Sequence, residues 1–240
     1  MIFKKKFVKG IKDVGKYNLI KNTSLLEILE DIGSMHSDYA GYGVLNMDET
    51  KVSWVLLDWK VKILNRPNYC EELDVHTWGH DFSKASTYRD FEVYDSKGNL
   101  CIIGTSKWAM INIDSHKIIR MTDEIVSKFE CEENHNIFEE GIEKIELPEE
   151  YINSIEFNIT RKDIDVNNHL HNTLYLSYAY EVLPEEVYEN EVFDYIRINY
   201  KKEIKLGDSI ICKYAKKEDK HIIEIYNKTK DVLSAMIELK

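Results

Sequence analysis

Hydrophobic and polar residues alternate along the chain with two different periods, and the first clear period is helical. Apolar side chains recur at three- and four-residue intervals between residues 24 and 39, as on one face of a helix. This stripe consists of Leu25, Ile28, Leu29, Ile32, Met35 and Tyr39. Ser24 and Glu27 have the spacing of a capping box, and Gly41 and Gly43 follow the stripe. The pattern predicts a helix over 24–39.

Segments rich in β-branched and aromatic residues follow this helix and predict strands. They are KVSWVLLDWKVKIL at 51–64, LDVHTWG at 73–79, KASTYRDFEVYD at 84–95 and LCIIGTSKWAMINID at 100–114. Because short polar turns separate them, we expect antiparallel pairing. The order in the first half is therefore a helix and then strands.

The same order returns in the second half of the chain. A strand is predicted at NSIEFNIT (153–160) and a helix near 170–183. Further strands are predicted at about 193–203, 208–216, 220–227 and 232–239. An ungapped alignment of the halves at an offset of 150 matches four polar residues, which pair as Asp13 with Asp163, Asn18 with Asn168, Asn22 with Asn172 and Thr23 with Thr173. We interpret this as an internal duplication.

The composition of the middle of the chain suggests where the copies divide. Residues 121–150 contain eleven acidic residues against two lysines and end in LPEE. We predict an N-terminal unit at 1–120, an acidic linker at 121–150 and a C-terminal unit at 151–240. The chain has 240 residues, which is ample for two compact units.

Charge and cysteine usage exclude several classes of protein. The net charge of −11 disfavours a nucleic-acid or anionic-membrane binder, because phosphate groups attract the opposite sign. No apolar run approaches the ~18 residues that span a bilayer, so we expect a cytoplasmic protein without membrane insertion. The four cysteines form no CxxC pair, and we expect reduced, mostly buried thiols. Residues 1–24 hold seven lysines and one aspartate, which predicts either a protected strand edge or a docking patch for an acidic partner.

A dense group of polar residues precedes the second predicted helix. Its members are Asp163, Asp165, Asn167, Asn168, His169, His171 and Asn172. Helix caps and dipole partners account for one or two of them. The purely structural interpretation stays open, but the group is larger than one helix start can use. In the duplication, Asp165, Asn167 and His169 face Gly15, Tyr17 and Leu19, so these polar groups occur in one copy only.

Metal and serine chemistry fit this group poorly. DIDVN begins like a calcium loop, but Asn168 stands where glycine is needed and Leu174 where a bidentate glutamate is needed. His169 and His171 lack a nearby third zinc ligand, and no G-x-S-x-G elbow occurs. A hydrolase that activates water needs a base, a group that orients the base, and oxyanion donors. Polar groups at a helix N-terminus can supply these functions.

Several motifs resemble those of the acyl-acyl carrier protein (acyl-ACP) thioesterase family. DIDVNNHLHNTLYLSYAYE is similar to the family's D-x-N-x-H-x-N-N segment, and YKKEIKLGD is similar to its Y-x-x-E segment. In the first half WVLLDWKVKI, DVHTWG, RDFEVYDSKG and TSKWAMINI are also similar, so the likeness covers nearly the whole chain. The resemblance implies an α+β tandem double hot-dog fold, in which each unit is an antiparallel β-sheet wrapped around a long central α-helix.

The resemblance also implies a set of catalytic residues. They are Asp165, Asn167, His169 and Glu203. Two positions depart from the family pattern. Ile204 stands where some plant members carry a cysteine after the glutamate, so cysteine attack is unavailable there. His171 precedes the retained Asn172, which puts the finer geometry of the helix start in question.

The function implied is hydrolysis of fatty acyl-ACP thioesters to free fatty acid and holo-ACP, without a cofactor or metal. Glu203, or His169 assisted by Glu203, would activate water, Asp165 would orient the histidine or the water, and Asn167 with helix N–H groups would hold the oxyanion. The N-terminal unit would bind the acyl chain, and a homodimer is allowed but not required. Two alternatives stay open, an acyl-CoA thioesterase and a non-catalytic acyl-binding or regulatory protein.

The expected partner is an acidic carrier protein bearing a phosphopantetheine-linked acyl chain. Besides the N-terminal lysines, the residues predicted to contact the substrate or carrier are Asn172, Lys201, Lys202 and Arg161, with Lys60, Lys62, Arg66 and Lys162 as additional candidates. Solvated strand residues are the competing interpretation for Lys201 and Lys202.

Overall fold

The computed structural model describes residues 1–83, 85–132 and 135–240 and contains two compact units, Met1–Gly141 and Ile142–Lys240. The predicted linker 121–150 therefore divides between the units. Lys84, the first residue of one predicted strand, and Glu133 and Asn134 of the predicted linker lie outside the described residues.

Unit 1 contains five strands and three α-helices in its described residues. The strands are β1 (Phe3–Val8), β2 (Val52–Ile63), β3 (Glu72–His80), β4 (Thr87–Tyr94) and β5 (Leu100–Asn112). The helices are α1 (Asn22–Tyr39), α2 (Met47–Thr50) and α3 (Asp123–Lys128), with short 3₁₀ turns at Ile11–Asp13, Lys16–Asn18 and Val44–Asn46. The strands pair antiparallel in the order β1-β3-β4-β5-β2.

Unit 2 repeats this plan with two α-helices in its residues. Its strands are β6 (Asn153–Asn158), β7 (Tyr195–Tyr200), β8 (Ser209–Lys217), β9 (Lys220–Asn227) and β10 (Val232–Leu239). Its helices are α4 (Asn172–Glu181) and α5 (Glu185–Asn190), preceded by a 3₁₀ turn at Arg161–Asp163. The antiparallel order β6-β8-β9-β10-β7 matches that of unit 1 strand by strand.

The core of each unit lies between its long helix and its sheet. The apolar face of α1 buries Leu25, Leu29 and Ile32 against the sheet, and α4 buries Leu176 and Ala179 in the same way. Removing such side chains from water is the main favourable contribution to folding, at roughly 25 cal/mol per Å². The α+β prediction of two helix-and-sheet units in tandem is thus confirmed, and each unit is a hot-dog fold.

Two details of the first predicted helix are wrong. The helix begins at Asn22, and Ser24 donates its hydroxyl to the buried Asp13 (3.2 Å) instead of capping the helix. The apolar stripe is also shorter than predicted, because Met35 is 41% exposed and Tyr39 is 63% exposed. His36 is buried in their place, stacked on Phe3 of β1.

The start of the predicted linker belongs to the packed part of unit 1. Helix α3 begins after Thr122, whose hydroxyl accepts the N–H of Ile125. Ile125 and Phe129 then pack in a buried cluster with Val52 and Met110. The acidic composition of this segment therefore reflects its exposed positions, while its few apolar residues hold it to the unit.

Membrane crossing requires a helix that is both long and apolar. Within the described residues no helix combines these two properties.

Candidate functional site

A tight turn between the 3₁₀ segment and α4 carries three of the predicted catalytic residues. The N–H of Asp165 donates to the carbonyl of His169 (2.8 Å), and Asn168 between them has a left-handed φ of 60°. The Oδ1 atom of Asp165 accepts the N–H of Asn167 (2.9 Å) and the N–H of His169 (3.0 Å). The Asp165 carboxylate thus fixes the backbone from which the His169 ring projects.

The fourth predicted residue, Glu203, lies in the segment between β7 and β8. Leu170 N–H donates to the carbonyl of Ile204 (2.8 Å), and His169 pairs with Lys205 in an antiparallel bridge. Two segments that are distant in sequence are therefore neighbours, with Glu203 close to His169. The structure brings together the loop of Asp165, Asn167 and His169 and the segment of Glu203.

Burial and charge set the protonation of the two groups that can take a proton. Burial lowers the pKa of His169 below its ordinary value of 6.5, and this outweighs the opposite effects of Glu203 and Asp165. Burial alone would raise the pKa of Glu203, but its own backbone N–H and His169 lower it below the ordinary value of 4.5. At neutral pH the imidazole is therefore neutral and the carboxylate is ionised.

The interaction between these two groups is electrostatic. Each changes the pKa of the other, yet in the described part of the chain no hydrogen bond joins the Glu203 carboxylate to the His169 ring. The His169 side chain is half-buried, whereas Glu203 and Asn167 are exposed. Both proton acceptors can therefore be approached from outside.

The turn that holds Glu203 is braced by a buried aspartate. Asp208 accepts the N–H of Lys205 (2.8 Å) and the side-chain amide of Asn227 (2.8 Å). It also pairs with the ammonium group of Lys230 (3.0 Å). Lys230 and Lys205 lower the pKa values of both His169 and Glu203.

The start of α4 is organised by its neighbours. His171 precedes the helix, and its Nδ1 lies 3.0 Å from the hydroxyl oxygen of Thr173. The hydroxyl of Tyr200 donates to the carbonyl of Asn172, the first helical residue (2.9 Å). Tyr175, one turn further, is buried, and its hydroxyl is hydrogen-bonded to the backbone of Ile204. The helix start is thus tied to the segment that carries Glu203.

Asp163, another member of the sequence cluster, has a structural position. It is buried and accepts the N–H (2.8 Å) and the hydroxyl (2.7 Å) of Thr160, while its carbonyl accepts the N–H of His171. Burial alone would raise the pKa of Asp163, but the Thr160 contacts lower it below the ordinary value. This aspartate stabilises the turn and is buried, whereas Asp165 is half-buried.

The predicted carrier contacts differ in exposure. Arg161, Lys201 and Lys202 are exposed. Lys60 is 3% exposed, and its ammonium group contacts Glu140 (2.7 Å) and the carbonyl of Gly141 (3.0 Å), so its assignment to a carrier-binding surface is wrong.

Arg66 is engaged at the start of α1. Its guanidinium donates to the side-chain oxygen of Asn22 (2.6 Å) and to the carbonyl of Ile20 (3.0 Å). These contacts hold the turn before the helix.

Four residues of the site were missed by sequence reasoning: Tyr175, Lys205, Asp208 and Lys230. Tyr175 follows Asn172 by one helical turn, a spacing that placed it near the helix start. Lys205 and Asp208 lie in the YKKEIKLGD segment itself. Lys230 reaches the site from the turn between β9 and β10, and nothing in its local sequence signals this.

The described side chains offer little for metal binding or for thiol chemistry. Among the described residues no group of three or more His, Cys, Asp or Glu side chains is arranged to hold a metal ion. Cys101 and Cys212 are buried, Cys131 is half-buried and Cys70 is exposed. Burial raises the pKa of the Cys212 thiol to about 12, so it stays protonated.

The fold and the site define a class of protein with two hot-dog units, in which the candidate catalytic residues lie at the start of the second unit's long helix. Comparison with known proteins agrees with this class. Residues 1–129 match the family model of the acyl-ACP thioesterase N-terminal domain, and residues 145–232 match that of the C-terminal domain. The chain belongs to the acyl-ACP thioesterase family.

The chain is also similar to a plant enzyme. Oleoyl-acyl carrier protein thioesterase 1 of Arabidopsis thaliana is 24% identical over 226 residues, 87% of this chain and 62% of that protein. The chain thus spans about three fifths of that relative's length.

The similarity in fold covers almost the whole chain. An acyl-ACP thioesterase from Bacteroides thetaiotaomicron superposes with a TM-score of 0.86 at 22% identity, covering 99% of this chain and 96% of that one. The 12:0-ACP thioesterase from Umbellularia californica gives 0.87 at 16% identity, covering 100% and 96%.

Proposed function

We propose that this protein hydrolyses fatty acyl thioesters of acyl carrier protein, releasing a free fatty acid and the carrier thiol. One observation carries the proposal. Glu203 and His169, from distant parts of the sequence, lie in segments joined by the Leu170–Ile204 hydrogen bond, and each shifts the pKa of the other. This proximity of two proton acceptors, one exposed and one half-buried, supports the proposal.

The proposed reaction needs one water molecule and no covalent enzyme intermediate. A water held between Glu203 and His169 attacks the thioester carbonyl carbon while one of the two side chains takes its proton. The carbon–sulfur bond then breaks, and the proton passes to the leaving thiolate. Because His169 is neutral and Glu203 is ionised at neutral pH, both can accept a proton without first losing one.

The geometry favours a positioning role for Asp165. One of its oxygens is already used by the N–H groups of Asn167 and His169, so the carboxylate acts on the loop backbone. This supports the view that Asp165 orients His169 through the backbone, which is one of the two roles expected from the sequence.

Charge that develops on the carbonyl oxygen needs donors in place before the reaction. The exposed amide of Asn167 and the N-terminal end of α4 are the groups proposed for this, since helix N-termini favour negative charge. A single well-placed donor is typically worth ~10²–10³ in rate. The acyl chain is proposed to bind mainly in unit 1.

Thiol release from a panel of acyl chains tests the proposal. Saturated chains of increasing length are attached to acyl carrier protein and, in parallel, to coenzyme A. Release that is faster with the carrier-linked series supports the proposal, and its dependence on length defines the acyl site. Preference for the coenzyme A series would assign an acyl-CoA thioesterase. Saturable acyl binding with no thiol released from either series would assign a binding protein and reject the enzyme.

A further inference from the structure

One lysine from a distant part of the chain reaches the segment that carries Glu203. Lys230 lies in the turn between β9 and β10, and its ammonium group pairs with the buried Asp208 carboxylate (3.0 Å) and donates to the backbone carbonyl of Glu203 (3.4 Å). Its side chain is 35% exposed, so solvent screens its charge only in part. The mechanism proposed above gives this lysine no role.

The backbone of Lys230 is held in place by the buried side chain of Asn227. The Oδ1 atom of Asn227 accepts the N–H of Lys230 (3.0 Å), and its Nδ2 donates to Asp208 (2.8 Å). The same turn is tied to the start of β8, because the N–H of Ser209 donates to the hydroxyl of Thr229 (2.9 Å). The ammonium group therefore extends from an anchored turn, and its place in the site is set by the fold.

The equivalent carboxylate of unit 1 receives neutral donors. Glu71 accepts the N–H of Asn68, three residues before it (3.0 Å), as Asp208 accepts the N–H of Lys205 (2.8 Å). The turn between β4 and β5 then contributes the hydroxyl of Ser96 (3.2 Å), whereas the turn between β9 and β10 contributes an ammonium group. Neutral donors are thus sufficient to form this brace, so the positive charge in unit 2 is not explained by the fold.

Positive charge at this place acts on both proposed proton acceptors. The charged and titratable side chains that interact with His169 and Glu203, or with each other around them, are Asp165, Tyr175, Lys205, Asp208 and Lys230. The two lysines lower the pKa values of both acceptors. A nearby cation disfavours the protonated form of an imidazole and of a carboxylate. The lysines therefore keep both side chains able to take a proton.

We infer that Lys230 is a positioning residue for the proposed hydrolysis, which restrains the backbone of Glu203 and, with Asp208 as its counterion, holds a positive charge beside the two proton acceptors. The inference rests on the proposed function and adds a residue that acts through Glu203 and His169. The hydrogen bond to the Glu203 carbonyl restrains the turn from which that side chain projects. The charge keeps the carboxylate ionised and the imidazole neutral down to a lower pH.

Three substitutions in one turn separate this role from a general effect on stability. Lys230→Met removes the charge and the donor with little change in volume, whereas Lys230→Arg keeps both. Lys228→Met removes the same charge from the same turn, but Lys228 pairs with Glu156 of β6 instead of Asp208. Circular dichroism and thermal unfolding confirm the fold of each variant, and Lys230→Gln replaces Lys230→Met if the latter does not fold.

The protonation of His169 is measured directly by NMR titration of its imidazole signals, assigned with His169→Gln. We expect Lys230→Met to raise the titration midpoint by about half a pH unit or more relative to Lys228→Met, since a partly screened unit charge several ångströms away has an effect of this order. The difference should shrink as ionic strength rises. A midpoint that rises no more in Lys230→Met than in Lys228→Met overturns the inference, whether or not the protein hydrolyses a thioester.

Kinetics with an acyl carrier protein substrate test the restraint on Glu203. We expect Lys230→Met to lower kcat by about tenfold at neutral pH with KM nearly unchanged, because a small displacement of a reacting group is costly. The acid inflection of its pH profile should move upward with the NMR midpoint, and Lys230→Arg should retain most of the wild-type rate. An unchanged kcat and an unmoved inflection in Lys230→Met overturn the inference. Absence of thiol release by wild type would reject the proposed function, and the NMR comparison would still decide whether Lys230 holds the charge beside His169.

Discussion

The turn that precedes α4 and the turn that precedes α1 share one backbone hydrogen bond and one left-handed residue, and their side chains are very different. In unit 1, Gly15 N–H donates to the carbonyl of Leu19, and in unit 2, Asp165 N–H donates to the carbonyl of His169, both at 2.8 Å. The intervening Asn18 has the same left-handed φ of 60° as its counterpart Asn168. The offset of 150 found in the sequence therefore describes a repeated structural element.

The likeness extends to the segment that each turn contacts. Leu19 bridges Asn68 as His169 bridges Lys205, and Asn68 N–H bonds to Glu71 (3.0 Å) as Lys205 N–H bonds to Asp208 (2.8 Å). This correspondence puts Arg66 of unit 1 at the position of Glu203 in unit 2. The position that holds a carboxylate in one unit thus holds a guanidinium in the other.

Comparing the two turns distinguishes residues that stabilise the fold from residues that we propose take part in the reaction. Both units keep the aspartate that caps the 3₁₀ turn, Asp13 and Asp163, and each accepts the N–H three residues before it. At this turn, unit 2 carries Asp165 and His169, the candidate proton-handling groups, where unit 1 carries Gly15 and Leu19. The turn therefore forms in unit 1 without the candidate catalytic side chains, so we expect unit 2 to keep its fold when His169 is changed.

The largest effect is expected at the histidine. His169→Ala should reduce thiol release from the acyl carrier substrate at least a hundredfold, because a general base or its partner typically contributes ~10²–10⁴. Leu19→Ala, the equivalent change in unit 1, should leave the rate within about threefold while lowering stability. Steady-state kcat/KM is measured for both variants. Similar losses of activity in the two variants would contradict a catalytic role for unit 2 alone.

The pH dependence of activity should reflect the protonation of His169. Since burial holds the pKa of His169 below 6.5, the imidazole stays neutral until the pH falls below that value and is protonated below its pKa. Activity should therefore be flat near neutral pH and fall by up to about tenfold per unit below an inflection under 6.5. A kcat/KM profile for wild type supplies the inflection. A loss of activity at acid pH with its inflection above pH 6.5 would be inconsistent with a half-buried, neutral imidazole.

A smaller effect is expected at the residue that shapes the loop. Asp165→Ala removes the acceptor for two N–H groups and leaves the loop like its counterpart at Gly15, so we expect a loss of about tenfold or more in kcat/KM. Asp165→Asn keeps an acceptor oxygen and should retain more activity than alanine. Equal losses for both substitutions would point to a need for the charge itself.

The smallest effect concerns only stability. Asp163→Asn and Asp13→Asn weaken equivalent caps, and each should cost about 0.5–2 kcal/mol of unfolding free energy. The pKa of Asp163 is lowered in the fold, so its contribution is present above the ordinary carboxyl pKa and disappears as the pH falls through the lowered value. Urea unfolding at pH 7 measures both costs. A large loss of activity with unchanged stability in Asp163→Asn would reassign that residue to the chemistry.

Local pattern was sufficient for the two long helices, for most strands and for the candidate catalytic loop, but not for the short helices α2, α3 and α5. The period of Leu25, Leu29 and Ile32 predicted α1, and the crowding of amides and acids marked the turn before α4. The resemblance added Glu203, which no local spacing connects to His169.

The remaining features depend on tertiary contacts that a local pattern does not contain. Asp163 and Asp165 look alike in sequence, and only the partners of each carboxylate separate a cap from a loop-shaping group. Lys230 reaches the Glu203 segment from a distant turn. Tyr39 continues an apolar stripe that the sheet does not cover, so it is exposed.

The most direct test of the account compares Glu203→Gln with Arg66→Gln, the same substitution at equivalent positions of the two units. Single-turnover thiol release from an acyl carrier substrate is followed with folded, thermally characterised variants. We predict at least a hundredfold loss for Glu203→Gln and a rate within about threefold of wild type for Arg66→Gln. Near-normal turnover by Glu203→Gln would contradict the claim that the chemistry resides where Glu203 meets His169.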